Sequence, residues 1–427
     1  MAYFIGTDDR DRITPGDVSP GVETEPGFPV PSGASDIVNG GKGEDTIRLG
    51  DGDDLAAWLP GDGSDSVYGG KGFDTFRFEG SGRSEDFSLF DGFLDAELVQ
   101  LPGFVSIDFD SIERVEIAAA GGGDYVQISD LTATALEEVK VEFGSGKGLN
   151  EISFIGTGSA ESITVARNIA GNILVDALGV QTGIAGFDAA RDSFIISLGE
   201  GDDVVDARAF SGANLNVATG SGNDLGKLGN GDDRWGAVGS FGQDTVEAGG
   251  GTDTLDLDLS IQDDVVVLAG DAAAATATRG ADGVAMASIE RIEVESASGN
   301  DLVDASAITG GIRLFIWGDA GADTLLGGAR GDVITGGAGD DSITAGGGGD
   351  RFVFGAENGG GRQDLDVVTD FSKAAGDVLD LRAVAGMFVA NVIDEGVLVT
   401  LAPVGGGDQD QILLQGLTAI SDLAVWA

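Results

Sequence analysis

Residues 318–353 constrain the fold more tightly than any other stretch of this chain. They read GDAGADTLL, GGARGDVIT, GGAGDDSIT and AGGGGDRFV, four consecutive nine-residue units in one register. Each unit has glycine at or beside its fourth position. Each also has aspartate at its sixth (Asp323, Asp332, Asp341, Asp350) and a large apolar residue at its eighth (Leu325, Ile334, Ile343, Phe352). Paired glycines take positive φ, so the backbone turns tightly with its carbonyls exposed. The triplet around the eighth residue is a very short strand with one inward side chain. Such a unit cannot bury its apolar residue alone. Two turns therefore close one coil of about eighteen residues, and coils stack with the apolar residues between two sheets. A flexible glycine-rich linker has no reason to hold an aspartate and an aliphatic at fixed places four times running.

Stacking also sets the chemistry. Aspartates of alternate units lie above one another, facing the carbonyls of neighbouring turns. Without a cation that column repels itself. Calcium is hard, takes six to eight oxygens and accepts carboxylates and carbonyls together. The stretch resembles the repeat-in-toxin (RTX) family, whose repeat is the nonapeptide G-G-x-G-x-D-x-U-x. The resemblance implies an all-β fold, a parallel β-roll or β-helix solenoid with less regular β segments between rolls, and several bound Ca²⁺ ions.

Composition narrows the field. There are 73 acidic residues against 23 basic, a formal net charge of −50. Nucleic-acid binding needs a basic face, and anionic lipid surfaces repel such a chain. Yet 42% of residues are hydrophobic, which is material for a core. Bound cations reconcile the two. Cysteine and histidine are absent, so there is no disulfide framework and no thiolate or imidazole metal site. The missing histidine also removes the HExxH motif, the Ser-His-Asp triad and any histidine general base. No apolar run approaches the ~18 residues of a membrane span. The N-terminus, MAYFIGTDDRDRIT, lacks the basic-then-apolar order of a Sec-type signal.

Five segments follow from the pattern. Residues 1–30 hold a degenerate opening unit, GTDDRDRIT with Asp11 and Ile13, and a proline-rich arm (Pro15, Pro20, Pro26, Pro29, then Pro31) expected to be an exposed loop. Residues 31–150 hold a first roll and a β segment with alternating strands such as Val105–Phe109. Residues 151–317 repeat that arrangement at greater length. GTGSAESIT at 156 answers the opening unit, LGEGDDVVD at 198 answers LGDGDDLAA at 49, and SIERIEV at 288 answers SIERVEI at 111. Residues 318–353 are the most regular roll and 354–427 a closing block. Between the copies, 128–197 reads as wide β-helix coils or a small β-sandwich, and the alanine-rich tract at 271–283 as a short helix or loop.

The sixth-position aspartates are the candidate calcium ligands. They are Asp36, Asp45, Asp54, Asp65 and Asp74 in the first roll, then Asp203, Asp224, Asp233, Asp244, Asp253 and Asp301 in the second copy. Asp323, Asp332, Asp341 and Asp350 complete the set. No catalytic residue is expected. Trp235 occupies an inward nonapeptide position and Trp317 directly precedes a roll, so both read as core.

The closing block contains DFSKAAGDVLDL, matching the RTX family's phrase at Asp370, Phe371, Gly376, Asp377, Leu379, Asp380 and Leu381. The resemblance implies an uncleaved type I secretion signal, hence the secretion machinery as a partner and an extracellular or cell-surface location. Physically, a solenoid end also needs a cap. Extracellular calcium modules bind at 10⁻⁴ to 10⁻³ M. At about tenfold excess over such a Kd each site adds on the order of 1.4 kcal/mol to folding. The expected function is therefore a non-catalytic protein that folds on Ca²⁺ outside the cell and acts at its surface, with self-association possible there. A carbohydrate-active β-helix protein, a polysaccharide lyase or glycan-binding module, is the alternative. Arg83, Arg167, Arg191, Arg313 and the tryptophans would serve it.

Overall fold

The computed structural model describes residues 2–24, 27, 30–146, 148–355, 364–384, 386–403 and 410–426. Among them there is no α-helix, only strands and one 3₁₀ turn at Ile420–Asp422. Pro26 and Pro29 lie outside the described residues. The chain forms two compact units, Met1–Val217 with Leu228–Asn230, and Ala218–Lys227 with Gly231–Ala427.

In the first unit one sheet runs Tyr3–Ile5, Ile37–Asn39, Leu55–Trp58, Thr75–Glu79, Arg114–Ala118, Glu138–Glu142 and Val180–Ala185, each parallel to the next. A second sheet stacks Arg12–Thr14, Thr46–Asp51, Ser66–Lys71 and Val105–Asp110, again parallel. It continues through Asp86–Asp91, Tyr125–Ile128, Glu151–Ile155 and Ser193–Ser197. Side chains alternate as a strand requires. In Thr75–Glu79 the residues Phe76 and Phe78 are buried while Thr75, Arg77 and Glu79 face outward.

The second unit follows the same plan. Arg234–Val238, Thr254–Asp258, Arg291–Glu295, Arg313–Trp317, Val333–Thr335, Arg351–Gly355 and Val378–Ala383 pair in parallel succession. In the facing sheet Leu302–Ile308, Thr324–Leu326, Ser342–Thr344, Leu365–Val368 and Gln411–Gln415 do the same. Register carries the core: Ile316, Ile334, Phe352 and Leu379 lie one above another, as do Val303, Leu325, Ile343 and Val368, all fully buried. The nonapeptide's eighth residue is thus the inward residue.

Among the described residues before the closing block, three antiparallel excursions interrupt the stacking. Each is a middle strand (Ala96–Leu101, Ile173–Ala177 or Ala274–Arg279) held between the strand before and the strand after it. They explain the loss of the nine-residue period, and they settle residues 128–197 as parallel coils with an excursion. They also correct the reading of 271–283. Ala274–Arg279 is a strand, because Ala275 and Ala277 alternate inward between two β partners and tertiary pairing overrides alanine's helix preference. The proline-rich arm is corrected too. Asp17–Val18 folds back on Ile13–Thr14, and Glu23–Thr24 pairs with Tyr3–Ile5, so its described part supplies edge strands.

Candidate calcium centre

All fifteen predicted aspartates are buried, each 5% exposed or less. Two residues before the inward apolar residue, each sits where the turn enters its strand. There the carboxylate does one job visibly. Its Oδ1 accepts the backbone N–H of the ladder residue one coil earlier: Asp36 to Asp54 at 2.7 Å, Asp54 to Asp74 at 2.9 Å, Asp45 to Asp65 at 2.9 Å. In the second unit Asp224 donates to Asp244, Asp233 to Asp253, Asp301 to Asp323, Asp323 to Asp341 and Asp332 to Asp350, all at 2.8–2.9 Å. The partner facing this oxygen is an amide, where the sequence suggested carbonyls. Asp203 accepts from the amide of Glu161.

The other oxygen is different. Oδ2 of Asp45, Asp54, Asp74, Asp253, Asp301 and Asp323 is buried with no hydrogen-bond partner. A carboxylate oxygen out of water and unpaired is costly. Burial accordingly pushes the carboxyls up, Asp45 to about 6, Asp74 and Asp323 to about 7 and Asp65 to about 8, with the neighbouring ladder carboxylates adding to the effect.

Glycine shapes the space these oxygens face. A Cβ on Gly318 would lie 2.7 Å from Asp323 Oδ2 and 2.2 Å from the carbonyl oxygen of Gly336, one coil on. A Cβ on Gly69 would lie 2.6 Å from Asp74 Oδ2 and 1.8 Å from the Ser111 carbonyl oxygen. Carboxylate and carbonyl oxygens therefore converge where side chains are excluded. Among the described residues no three acidic side chains gather at one point. A cation held here takes most of its oxygens from the backbone, a mixed hard-oxygen set that suits Ca²⁺.

The ladder is longer than the fifteen residues. Asp74 donates to Glu113, Asp253 to Glu290, Asp341 to Asp366 and Asp350 to Asp377. Glu85, Asp124, Asn150 and Asp192 form another run. The signal that finds them is an acid or amide two residues before a buried apolar one, as in Glu113-Arg114-Val115 or Asp377-Val378-Leu379, even where the glycines have gone.

The residues weighed for sugars are less well placed. Trp58 is 4% exposed, stacked on Phe78 at 4.0 Å, and Trp235 is fully buried. Trp317 is not core. Strand alternation turns Leu314 and Ile316 inward and leaves Trp317 half-buried on the outer face beside Phe315. Arg167 bonds the carbonyls of Ser211 and Gly171, Arg191 pairs with Asp188, and Arg313 lies over Phe315. Arg83 lines a cleft of about 320 Å³ with Trp58, Asp62, Glu85 and Gln100.

A parallel β-roll whose turns set buried carboxylates against glycine-bounded carbonyls is a calcium-binding scaffold. The family model for the RTX calcium-binding nonapeptide repeat matches residues 32–56, 61–77, 237–259 and 317–352. The chain thus carries RTX calcium-binding repeats, and these stretches belong to that family. Among solved structures the chain is similar to the extracellular lipase LipA from Serratia marcescens, at 16% identity and a TM-score of 0.22 over 58% of this chain. That match covers 44% of the lipase, less than half its length. No curated protein matches the chain.

Proposed function

We propose that this is a secreted, non-catalytic calcium-binding protein that folds on Ca²⁺ outside the cell and acts at or near the cell surface, in adhesion, matrix or surface-layer assembly. The observation that carries the reading is the divided use of ladder carboxylates such as Asp74 and Asp323. One oxygen fastens the preceding coil and the other is buried facing carbonyls, so folding at neutral pH is coupled to cation binding. Where calcium is scarce, as in cytosol, the ladder repels itself and the chain stays unfolded and fit for export. Where calcium is millimolar, the coils close.

Support for export comes from the closing block. Its DFSKAAGDVLDL phrase matches the RTX family's, and Leu365–Val368 and Val378–Ala383 continue both sheets of the second unit. The test is to express the chain with and without residues 354–427 beside a type I exporter, then assay supernatant, washed cells and cytosol. The intact chain is expected outside and the truncated one inside. An intact chain confined to cytosol contradicts the proposal. Surface assembly predicts calcium-dependent growth in light scattering.

The Arg83 cleft favours a second reading, binding of an anionic polysaccharide. The exposed Arg83 guanidinium suits a uronate carboxylate, with calcium offsetting the cleft's own carboxylates Asp62 and Glu85. Arg83→Ala would then abolish retention on an alginate or pectate column in calcium. Unchanged retention, or none by the parent chain, excludes it.

A further inference from the structure

We propose that Arg279 is a resident cation. It stands at the break that an excursion makes in the second unit's carboxylate ladder, so this stretch is closed by the protein's own charge and needs no metal there. The proposal rests on the calcium-coupled folding above and concerns the stretch that departs from it.

The geometry is specific. The ladder runs from Asp224 to Asp244 and restarts at Asp264, whose amide donates to Asp301 Oδ1 at 2.6 Å. Between them lies the excursion, and register sets Arg279 of its middle strand opposite both Val266 and Asp282. The guanidinium Nη2 donates to the Gly239 carbonyl and, at 3.2 Å, to Asp282 Oδ2, while Nε lies 4.0 Å from Asp264 Oδ1. The side chain is 12% exposed and covers the Phe241 ring at 5.1 Å. A turn carbonyl, the first acid of the resumed ladder and a second carboxylate thus converge on one positive charge. That is the ligand set, carbonyl with carboxylate, that the regular coils offer to calcium. Arginine keeps its charge at any relevant pH and is weakly hydrated, so it tolerates this burial.

The other two excursions supply the contrast. In one, Gln100 stands opposite Phe87, two residues beyond Glu85, just as Arg279 stands opposite Val266, two beyond Asp264. Its Nε2 donates to Glu85 Oε1 at 3.1 Å, filling the position with a neutral donor. In the other, Thr164 pairs with Asp176, so the position two beyond Glu161 falls against buried Ala177, which offers no donor, and Glu161 Oε2 is buried without a hydrogen-bond partner. Among the three, only Arg279 brings a full charge to the break.

The test is hydrogen–deuterium exchange by mass spectrometry on the full chain, with Arg279→Met and Arg279→Lys, in EDTA and in CaCl₂. In EDTA, parent peptides across 264–287 are expected to exchange about tenfold more slowly than those across 323–350, the scale of a buried charge-assisted hydrogen bond. Arg279→Met should erase that difference in EDTA and regain protection in calcium, and Arg279→Lys should keep part of it. Equal exchange of the two stretches in the parent overturns the proposal. Should 323–350 also be protected in EDTA, calcium-coupled folding fails instead. Arg279→Met then decides the proposal alone: loss of protection confined to 264–287 upholds it, and none overturns it.

Discussion

The amide of Asp54 donates to Oδ1 of Asp74 at 2.9 Å, and Oδ2 of the same Asp74 is buried with no hydrogen-bond partner. One side chain therefore both fastens a coil to its neighbour and burdens it with an uncompensated oxygen. The amide bond explains why the residue sits at the strand entrance. The second oxygen explains why the coil needs a positive partner.

Protons should substitute for calcium. Burial raises Asp74 to about 7, Asp65 to about 8 and Asp45 to about 6. Folded-state values above the unfolded one mean that the folded calcium-free chain binds more protons. The stabilising contribution is complete below the unfolded value near 3.9 and is lost as pH rises through 6 to 8. In EDTA the β signal in circular dichroism should be present at pH 4.5 and lost by pH 8.5. In millimolar CaCl₂ it should persist across that range. A calcium-free spectrum flat with pH contradicts the account.

Asp74→Asn separates the two oxygens. Asparagine keeps an acceptor for the Asp54 amide and removes the buried charge. Without calcium the variant should be more stable than the parent by roughly 1 to 3 kcal/mol, the cost of an unsatisfied buried polar group. Its calcium midpoint should move to higher concentration. Urea unfolding with and without EDTA reads both. Destabilisation in both conditions would mean the carboxylate is only a staple.

Glycine should matter where coils touch and not elsewhere. Gly339 has φ of 130°, and a Cβ there would lie 1.8 Å from the Gly321 carbonyl oxygen. Gly310 is exposed with nothing within 4 Å of such a Cβ. Gly339→Ala should cost more than about 2 kcal/mol in calcium and Gly310→Ala less than about 0.5. Thermal melts in CaCl₂ compare them directly, and equal melting temperatures refute the close packing.

Much of this was legible because the repeat unit is also the structural unit. Asp341 and Ile343, two apart in the sequence, become the turn carboxylate and the core residue of one coil, and nothing distant has to be guessed. Legibility failed where partners came from afar. The alanines of 274–279 look helical until two β neighbours are known, and Trp317 looks like core until strand alternation fixes its face. Glu113, Glu290 and Asp366 were hidden because the excursions and the closing block remove the glycines while the acid keeps its place before the inward residue. That an amide rather than a carbonyl faces Oδ1 depends on register between coils, which the repeat does not encode.

Under the proposed function, buried ladder carboxylates couple folding to calcium. Circular dichroism of the full chain at pH 7.5, first in EDTA and then through a titration to millimolar CaCl₂, tests it most directly. The account predicts a largely disordered spectrum in EDTA and a cooperative gain of β signal with a rising melting temperature. A chain already fully β in EDTA, with a melting temperature that calcium does not move, would contradict it.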